Sequence, residues 1–141
     1  MIINRLEMFN FRQYIGLQSV EFSTDKDKNV TVLIGVNTSG KTTIVRAFEW
    51  CLYGKNGFED TILLNSEVRT NMKESDVQEV WVSVTFTHDD IVYTIKRSHK
   101  YVCFERYTEN GRFVVTLGKK PDENVMLEYL MKDGQTKIPI D

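Results

Sequence analysis

The stretch from Gly35 to Thr42 is Gly-Val-Asn-Thr-Ser-Gly-Lys-Thr and matches the phosphate-binding loop pattern G-x-x-x-x-G-K-[ST] at every fixed position. A short apolar and β-branched run, residues 29–34, precedes it, and a helical pattern over residues 43–53 follows it. Strand, glycine-containing loop and helix in this order are the context in which the pattern binds a nucleotide. The motif therefore predicts nucleotide binding in an α/β fold, against the alternative of a fortuitous glycine-rich turn.

The helix prediction after the motif rests on the spacing of apolar residues. They fall at i, i+3, i+4, i+7 and i+8, and Gly54 follows as a stop signal. A helix that begins near Lys41 points its unpaired N–H groups and the positive end of its dipole at the loop. The predicted apolar stripe consists of Ile44, Ala47, Phe48, Cys51 and Leu52.

The motif and the residue after it predict specific contacts with ATP and Mg²⁺. Lys41 can reach the terminal phosphates as a point charge and is the predicted catalytic residue. Thr42 supplies a hydroxyl to Mg²⁺, and Thr43 places a hydroxyl near the α-phosphate. The remaining predicted nucleotide contacts, through close backbone approach and N–H groups, are Gly35, Asn37, Thr38, Ser39 and Gly40.

Length and composition limit the class of protein. A chain of 141 residues with 41% hydrophobic content can form one domain with a core, but not two. The net charge of −2 does not favour a protein that coats nucleic acid. Because no apolar run approaches a membrane span and the first residues lack the apolar centre of a signal peptide, we expect a cytoplasmic protein with no membrane partner. Cys51 and Cys103 are expected to be reduced core residues.

Alternating patterns predict most of the remaining elements. Residues 2–9 and 17–22 are predicted as antiparallel neighbouring strands, with Asn10 capping the loop between them. Residues 55–76 have a weak pattern and are predicted as an irregular surface excursion with one or two helical turns. Pro121 is predicted to open a final helix over residues 124–132, with a stripe of Val125, Met126, Leu127 and Leu130.

Between the excursion and that helix, the alternation predicts an antiparallel β-meander. Its strands are predicted over residues 80–87, 91–95, 101–107 and 113–115, with a tight Asn110-Gly111 hairpin before the last.

The first 54 residues resemble the N-terminal half of an SMC-like ABC ATPase head of the SbcC and RecF kind. The resemblance is carried by Asn10-Phe11-Arg12 between two strands, by the loop motif, and by the helix end Trp50-Cys51-Leu52-Tyr53-Gly54. Within that group, the helix end and Leu63-Leu64-Asn65 resemble DndD, the ATPase of DNA phosphorothioation systems, and related phage-defence ATPases.

The resemblance implies an α/β P-loop NTPase fold, the N-terminal lobe of an ABC/SMC head, with a mixed sheet around the P-loop helix and an antiparallel β-meander. The sequence pattern divides this lobe into a P-loop core of about 1–54, the irregular excursion 55–76, the β-meander 77–117 and a closing helix 121–132. The implied partners are a C-terminal lobe with an acidic Mg²⁺ strand and the ABC signature, a second head in a homodimer, and DNA. Neither an Asp-Glu strand nor a signature occurs in this sequence, so we expect an isolated lobe.

Family positions outside the motif give two further expectations, and one position within the motif departs from the family. Arg12 matches a position that implies contact with nucleotide phosphates from the side opposite Lys41; the alternative is a solvated loop arginine. Gln135 lies too early to match the family's magnesium-sensing glutamine and is interpreted as a loop residue. The departure is Thr38, where the family usually has Gly, which puts the exact loop path in doubt.

Other polar residues receive less specific interpretations. The basic residues of the meander either face DNA or form an ordinary solvated face, and the second is favoured because no aromatic platform alternates with them. Trp81 is predicted to be a packing residue. His88 and His99 are placed in turn-like surroundings and are not proposed as ligands. The basic residues are Lys96, Arg97, Lys100 and Arg106.

The leading hypothesis is the ATP-binding half of a DNA-associated ATPase head that serves DNA repair, DNA modification or phage defence. Hydrolysis would need the C-terminal lobe and a second head, so the chain alone is predicted to be nearly inactive. One alternative is a complete small kinase or GTPase-like enzyme, for which no second acidic strand or Asn-Lys-x-Asp motif is visible. The other is a non-hydrolysing nucleotide-sensing regulator.

Overall fold

The computed structural model describes residues 2–24, 27–28, 41–54, 62–119, 124–130 and 136–137. These residues form a seven-stranded sheet and two helices, with strand order β2-β1-β3-β4-β6-β7 and β5 also paired to β4. In chain order the elements are β1 (Ile2–Phe9), β2 (Leu17–Glu21), α1 (Lys41–Tyr53), α2 (Ser66–Thr70), β3 (Val77–His88), β4 (Ile91–Glu109), β5 (Arg112–Lys119), β6 (Asn124–Leu130) and β7 (Thr136–Lys137).

Every strand pairing among these described residues is antiparallel. The fold is therefore α/β with an antiparallel sheet, and the predicted mixed sheet is not found in this part of the chain. Residues 29–34, which are predicted to form the strand before the loop motif, lie outside the described residues.

The first two strands form the antiparallel pair that their alternation predicts. Arg5 lies opposite Glu21 and Phe9 lies opposite Leu17. On β1, Leu6 and Met8 are fully buried and belong to the same hydrophobic cluster as residues of α1. Period-two alternation on a sheet with one covered face accounts for this pattern.

The central strand β3 also follows its predicted alternation. It pairs with β1 along one edge and with β4 along the other. Val80, Val82 and Val84 are buried on one face. On the other face, the ring of Trp81 stacks on Phe9 with centroids 5.8 Å apart, which confirms that Trp81 is a packing residue.

The sequence predicts separate strands over 91–95 and 101–107, and this prediction is wrong: β4 is one continuous strand of 19 residues. In the sequence, the polar run 96–100 looks like an interruption between two strands. In the structure its backbone is paired to β3 on one edge, and β6 covers the other edge as far as Ser98. Backbone pairing on both edges keeps such residues in a strand whatever their own propensity.

The position of His99 is a related correction. It is not in turn-like surroundings but is buried within β4, with its ring 4.9 Å from the ring of Tyr101. His88 is the last residue of β3, directly before the β3–β4 turn.

The predicted closing helix 121–132 is also wrong, because residues 124–130 form strand β6. This strand pairs antiparallel with the first half of β4, with Val125 opposite Arg97 and Leu127 opposite Ile95. Val125, Leu127 and Tyr129 fit period two, whereas the predicted helical stripe also used Met126 and Leu130. Short apolar runs of this kind are ambiguous on periodicity alone. The open edge of β4 supplies hydrogen-bond partners that favour the strand.

Helix α1 begins at Lys41 and packs on one face of the sheet. The thiol of Cys51 contacts the main-chain oxygens of Val82, 3.4 Å away, and Ile95, 3.3 Å away. Cys51 and Cys103 are both buried and free, which confirms their prediction as reduced core residues. In the part of the chain that is described, neither helix is long and apolar enough to cross a membrane.

The buried stripe of α1 is rotated relative to the prediction. Ala47 and Cys51 are shared, but the helix also buries Thr43 and Trp50, while Ile44 and Phe48 are only half-buried. Trp50 stacks on Phe11, with ring centroids 5.8 Å apart, so a large side chain joins the core face. Full burial of such a side chain contributes about 1.5–3 kcal/mol.

Candidate functional site

The first turn of α1 is the described part of the predicted loop motif. Lys41, Thr42 and Thr43 are its first three residues, and the first turn contains no acidic side chain. The N–H groups of a first helical turn have no partner within the helix and carry partial positive charge, so this end of α1 favours an anion. The other predicted contacts, Gly35, Asn37, Thr38, Ser39 and Gly40, lie outside the described residues.

A second segment approaches this helix end: the loop from Asn10 to Gly16, here called the Arg12 loop. Its two ends are joined by a hydrogen bond from the Asn10 N–H to the Gly16 oxygen, 3.1 Å long. The Gly16 N–H donates to Asn10 Oδ1 at 2.8 Å. Asn10 has a φ of 52°, which its side chain tolerates better than most. The predicted local capping role of Asn10 is confirmed.

Arg12 is held by the segment from Ile62 to Asn65. Its N–H donates to the Leu63 oxygen at 2.8 Å, and its guanidinium Nη1 donates to the Ile62 oxygen at 3.0 Å. Its own carbonyl oxygen accepts from Asn65 Nδ2 at 2.8 Å. Because Arg12 has a φ of 53°, unfavourable for a residue with a Cβ, these contacts are needed to keep its conformation.

The side chain of Asn65 both accepts and donates hydrogen bonds. Its Oδ1 accepts from the N–H groups of Glu67, at 3.0 Å, and Val68, at 3.2 Å, and so caps α2. Its Nδ2 donates to Arg12, and its main-chain N–H donates to the Asn10 oxygen at 2.8 Å. Sequence reasoning noted Asn65 only through a family resemblance. The preference of helix starts for Asn is a signal that could have found the capping half of this role.

Gln13 connects the Arg12 loop to α1. The Thr43 hydroxyl donates to Gln13 Oε1 at 2.7 Å, across 30 positions of the chain. Thr43 is 5% exposed, so this hydrogen bond is partly shielded from water. A hydroxyl has one proton, so Thr43 can donate it to Gln13 or to a phosphate oxygen, but not to both at once. Sequence reasoning did not single out Gln13, and no local pattern marks it.

A cleft with a mixed polar and apolar lining lies beside this contact. Its volume is about 250 Å³, and two arginines, an amide and a hydroxyl contribute to its walls. Guanidinium groups donate well to carboxylate and phosphate oxygens, and none of the lining residues carries a carboxylate. Arg69 is a lining residue that the sequence analysis missed. The lining residues are Arg12, Gln13, Ile62, Leu64, Ser66 and Arg69.

The far end of α1 is capped by a residue from the sheet. Gly54 ends the helix as predicted, with a φ of 72° and its N–H bonded to the Trp50 oxygen at 2.8 Å. Arg97 Nε donates to the Cys51 oxygen at 3.2 Å. The last turn of α1 contains no basic residue, so the Arg97 guanidinium supplies the positive charge that a helix C-terminus favours.

Burial raises the pKa of the Cys51 thiol to about 11, and the nearby Arg97 guanidinium partly offsets this effect. A thiol with a raised pKa stays protonated near neutral pH, so Cys51 belongs to the packing of α1 and not to a reactive site.

The basic residues of the meander do not share one surface. Arg97 faces α1, whereas the ammonium group of Lys96 lies 4.4 Å from the centre of the Trp81 ring on the opposite face. Arg106 lies 4.0 Å from the ring of Phe113 and donates to the Met72 oxygen at 3.3 Å. As a set, these side chains cannot form the DNA-facing surface considered from sequence.

Two comparisons with known proteins bear on this arrangement. A family model described as "AAA domain" matches residues 5–137. The DNA replication and repair protein RecF of Clostridium kluyveri is 39% identical over 56 residues, which is 40% of this chain. The matched segment spans 14% of the length of that RecF protein.

Proposed function

Because the chain belongs to the AAA domain family and represents an N-terminal region of SMC-like, RecF-type ATPases, we propose that it is the ATP-binding half of an ATPase head that acts with DNA. The observation that carries this proposal is the Gln13–Thr43 hydrogen bond, which brings the Arg12 loop to the first turn of α1. The proposal rests on family membership together with that local geometry.

The described residues fit a nucleotide polyphosphate chemically. The first turn of α1 contains no acidic side chain and has N–H groups without a partner inside the helix, and two guanidinium groups line the cleft beside it. In this proposal Lys41 contacts the terminal phosphates, and Arg12 contacts phosphate oxygens from another side. The guanidinium of Arg12 can do so while bonded to Ile62, because it has five N–H donors.

The remaining roles follow the loop motif. Thr42 is proposed to direct its hydroxyl to Mg²⁺. Thr43, whose hydroxyl donates to Gln13, is proposed to contribute its main-chain N–H near the α-phosphate. Backbone groups of Gly35, Asn37, Thr38, Ser39 and Gly40 complete the proposed cradle. When bound, Mg²⁺ would neutralise charge on the β- and γ-phosphates.

Hydrolysis is proposed to require more than this chain. The described sheet and helices supply binding groups. The sequence contains neither the Asp-Glu strand nor the ABC signature of such heads. We propose that a C-terminal lobe and a second head supply them, and that the chain alone turns ATP over very slowly. DNA repair is the process that the similarity to a DNA replication and repair protein supports. We also propose DNA modification and phage defence as more specific processes, because of the DndD resemblance.

Calorimetric titration of the chain with Mg-ATP tests the binding proposal. We expect measurable binding that Lys41→Ala reduces at least tenfold, because the substitution removes a charge-assisted contact to phosphate. Lys73→Ala is the matched control, since Lys73 is an exposed lysine that does not line the cleft. Equal affinity in the wild type and Lys41→Ala would refute the proposed site.

A further inference from the structure

The Arg12 loop is attached on two sides to the rest of the described structure. On one side, the main chain of Arg12 is bonded to Leu63 and Asn65. On the other side, the hydrogen bond between Gln13 and Thr43 attaches the loop to α1. The first attachment fixes the loop to residues 63–65, which directly precede α2. The second fixes the distance between the loop and α1.

The second attachment matters because the loop is intrinsically unfavourable. Arg12 is in the left-handed region, where a residue with a Cβ persists only if its surroundings hold it. Gln13 is the next residue in the chain, so its side-chain anchor directly limits where the Arg12 guanidinium can lie. The carboxamide of Gln13 uses its oxygen for Thr43, and its two N–H donors are not used by this bond.

We propose that Gln13 is a positioning residue of the nucleotide site. By accepting a hydrogen bond from the Thr43 hydroxyl, it holds the Arg12 loop against the first turn of α1, so that Arg12 and Lys41 act on one phosphate chain from two sides. This inference rests on the proposed function and names the residue that sets the geometry between two of its contacts. Gln13 lies outside the loop motif, and its role follows from its contact and from its place in the cleft wall.

A purely structural role for this hydrogen bond makes a different prediction. In that case Gln13→Ala would lower the thermal stability of the fold, and any loss of ATP affinity would be the same whether or not Arg12 is present. A positioning role acts through Arg12, so its effect on affinity disappears when the Arg12 guanidinium is removed. Coupling between the two substitutions therefore separates the two roles.

The test is a double-mutant cycle of Gln13→Ala and Arg12→Ala, measured as the affinity of the chain for Mg-ATP. We expect Gln13→Ala alone to weaken binding about 3- to 10-fold, the effect of one lost hydrogen bond. In the Arg12→Ala background we expect less than a twofold further change. Gln18→Ala is the matched control, because Gln18 is an exposed glutamine near the same loop that bonds to the Ile15 oxygen. We expect it to leave the affinity unchanged.

Three results would overturn the inference: unchanged affinity in Gln13→Ala, unchanged affinity in Arg12→Ala, or equal losses from Gln13→Ala in both backgrounds. Lys41→Ala, measured in parallel, distinguishes this failure from failure of the proposed function. If Lys41→Ala abolishes binding while Gln13→Ala does not weaken it, the positioning role is wrong and the nucleotide site stands. If Lys41→Ala binds normally, the site itself is wrong.

Discussion

The side-chain amide of Asn65 donates a hydrogen bond of 2.8 Å to the main-chain oxygen of Arg12, 53 positions earlier in the chain. The same side chain caps α2 through its oxygen. One buried amide, 4% exposed, thus links the start of a short helix to the loop of a candidate phosphate-binding residue. A substitution of Asn65 is therefore expected to affect both the stability of the fold and the position of Arg12.

The first prediction concerns this link. Asn65→Ala removes the cap of α2 and leaves the Arg12 oxygen without this donor, so we expect a loss of about 2–3 kcal/mol in the free energy of unfolding. Asn65→Asp keeps the capping acceptor but loses the donor and is expected to cost less than Asn65→Ala. Urea unfolding measures both. Asn71→Ala, an exposed substitution at the other end of α2, should change stability by less than about 0.5 kcal/mol, and a similar loss there would count against the link.

The second prediction concerns the sheet residue at the end of α1. Arg97→Ala removes the hydrogen bond to the Cys51 oxygen and the positive charge at the helix C-terminus, and we expect a loss of about 1–2 kcal/mol. Arg97→Lys keeps the charge without the planar donor group and should recover part of it. Chemical denaturation gives the values. Lys96→Ala is the comparison on the opposite face and should cost less, so a larger loss there would contradict this account.

The third prediction separates backbone strain from side-chain contact at two glycines. Gly54 and Gly111 both have positive φ, 72° and 77°. A Cβ added at Gly54 would lie 3.3 Å from the Arg97 guanidinium, whereas one at Gly111 meets nothing within 4 Å. Both alanine variants are expected to lose about 1 kcal/mol from strain. Thermal unfolding should show the larger loss for Gly54→Ala, and this excess should vanish in an Arg97→Ala background.

The fourth prediction concerns alkaline pH. The folded state raises the pKa of Cys51 from 9.0 to about 11, so between these values the unfolded chain has lost the thiol proton while the folded chain keeps it. The unfolded state then binds fewer protons, and stability falls as pH rises. The Cys51 contribution is fully present below pH 9 and declines by about 2–3 kcal/mol up to pH 11.

Urea unfolding of Cys51→Ala between pH 8 and 11 tests this. The deficit of the variant relative to the wild type should shrink as pH rises, because only the wild type carries the titrating thiol. Val82→Ala is the control: Val82 is equally buried beside Cys51 but has no ionisable group, so its deficit should stay constant. A constant deficit in Cys51→Ala would disprove the raised pKa.

Sequence patterns over a few neighbouring residues predicted helix α1 and the first strands correctly. Helix α1, its start at the loop motif and its stop at Gly54 follow from spacing and from glycine preference, and all are found. The antiparallel pair β1–β2 and the alternation of β3 follow from period two. The family of SMC-like, RecF-type ATPases was also predicted from these first 54 residues and is confirmed.

The remaining features depend on partners distant in the chain. Residues 124–130 fit two periodicities, and the open edge of β4 decides between them. The polar run 96–100 becomes strand because backbone pairing outweighs its propensity. The Gln13–Thr43 contact joins residues 30 positions apart, and no local sequence pattern around either residue predicts it. The domain boundaries and the contacts of residues 35–40 stay predictions.

The continuity of β4 has a mechanical consequence. Its 19 residues extend over about 60 Å, from the β3–β4 turn to the hairpin at Asn110. Arg97, within this strand, donates a hydrogen bond to the C-terminal end of α1. A force applied at the hairpin tip would thus be transmitted along a hydrogen-bonded strand to the C-terminal end of α1, and the irregularity between Cys103 and Glu105 is the place on that path where the strand can bend.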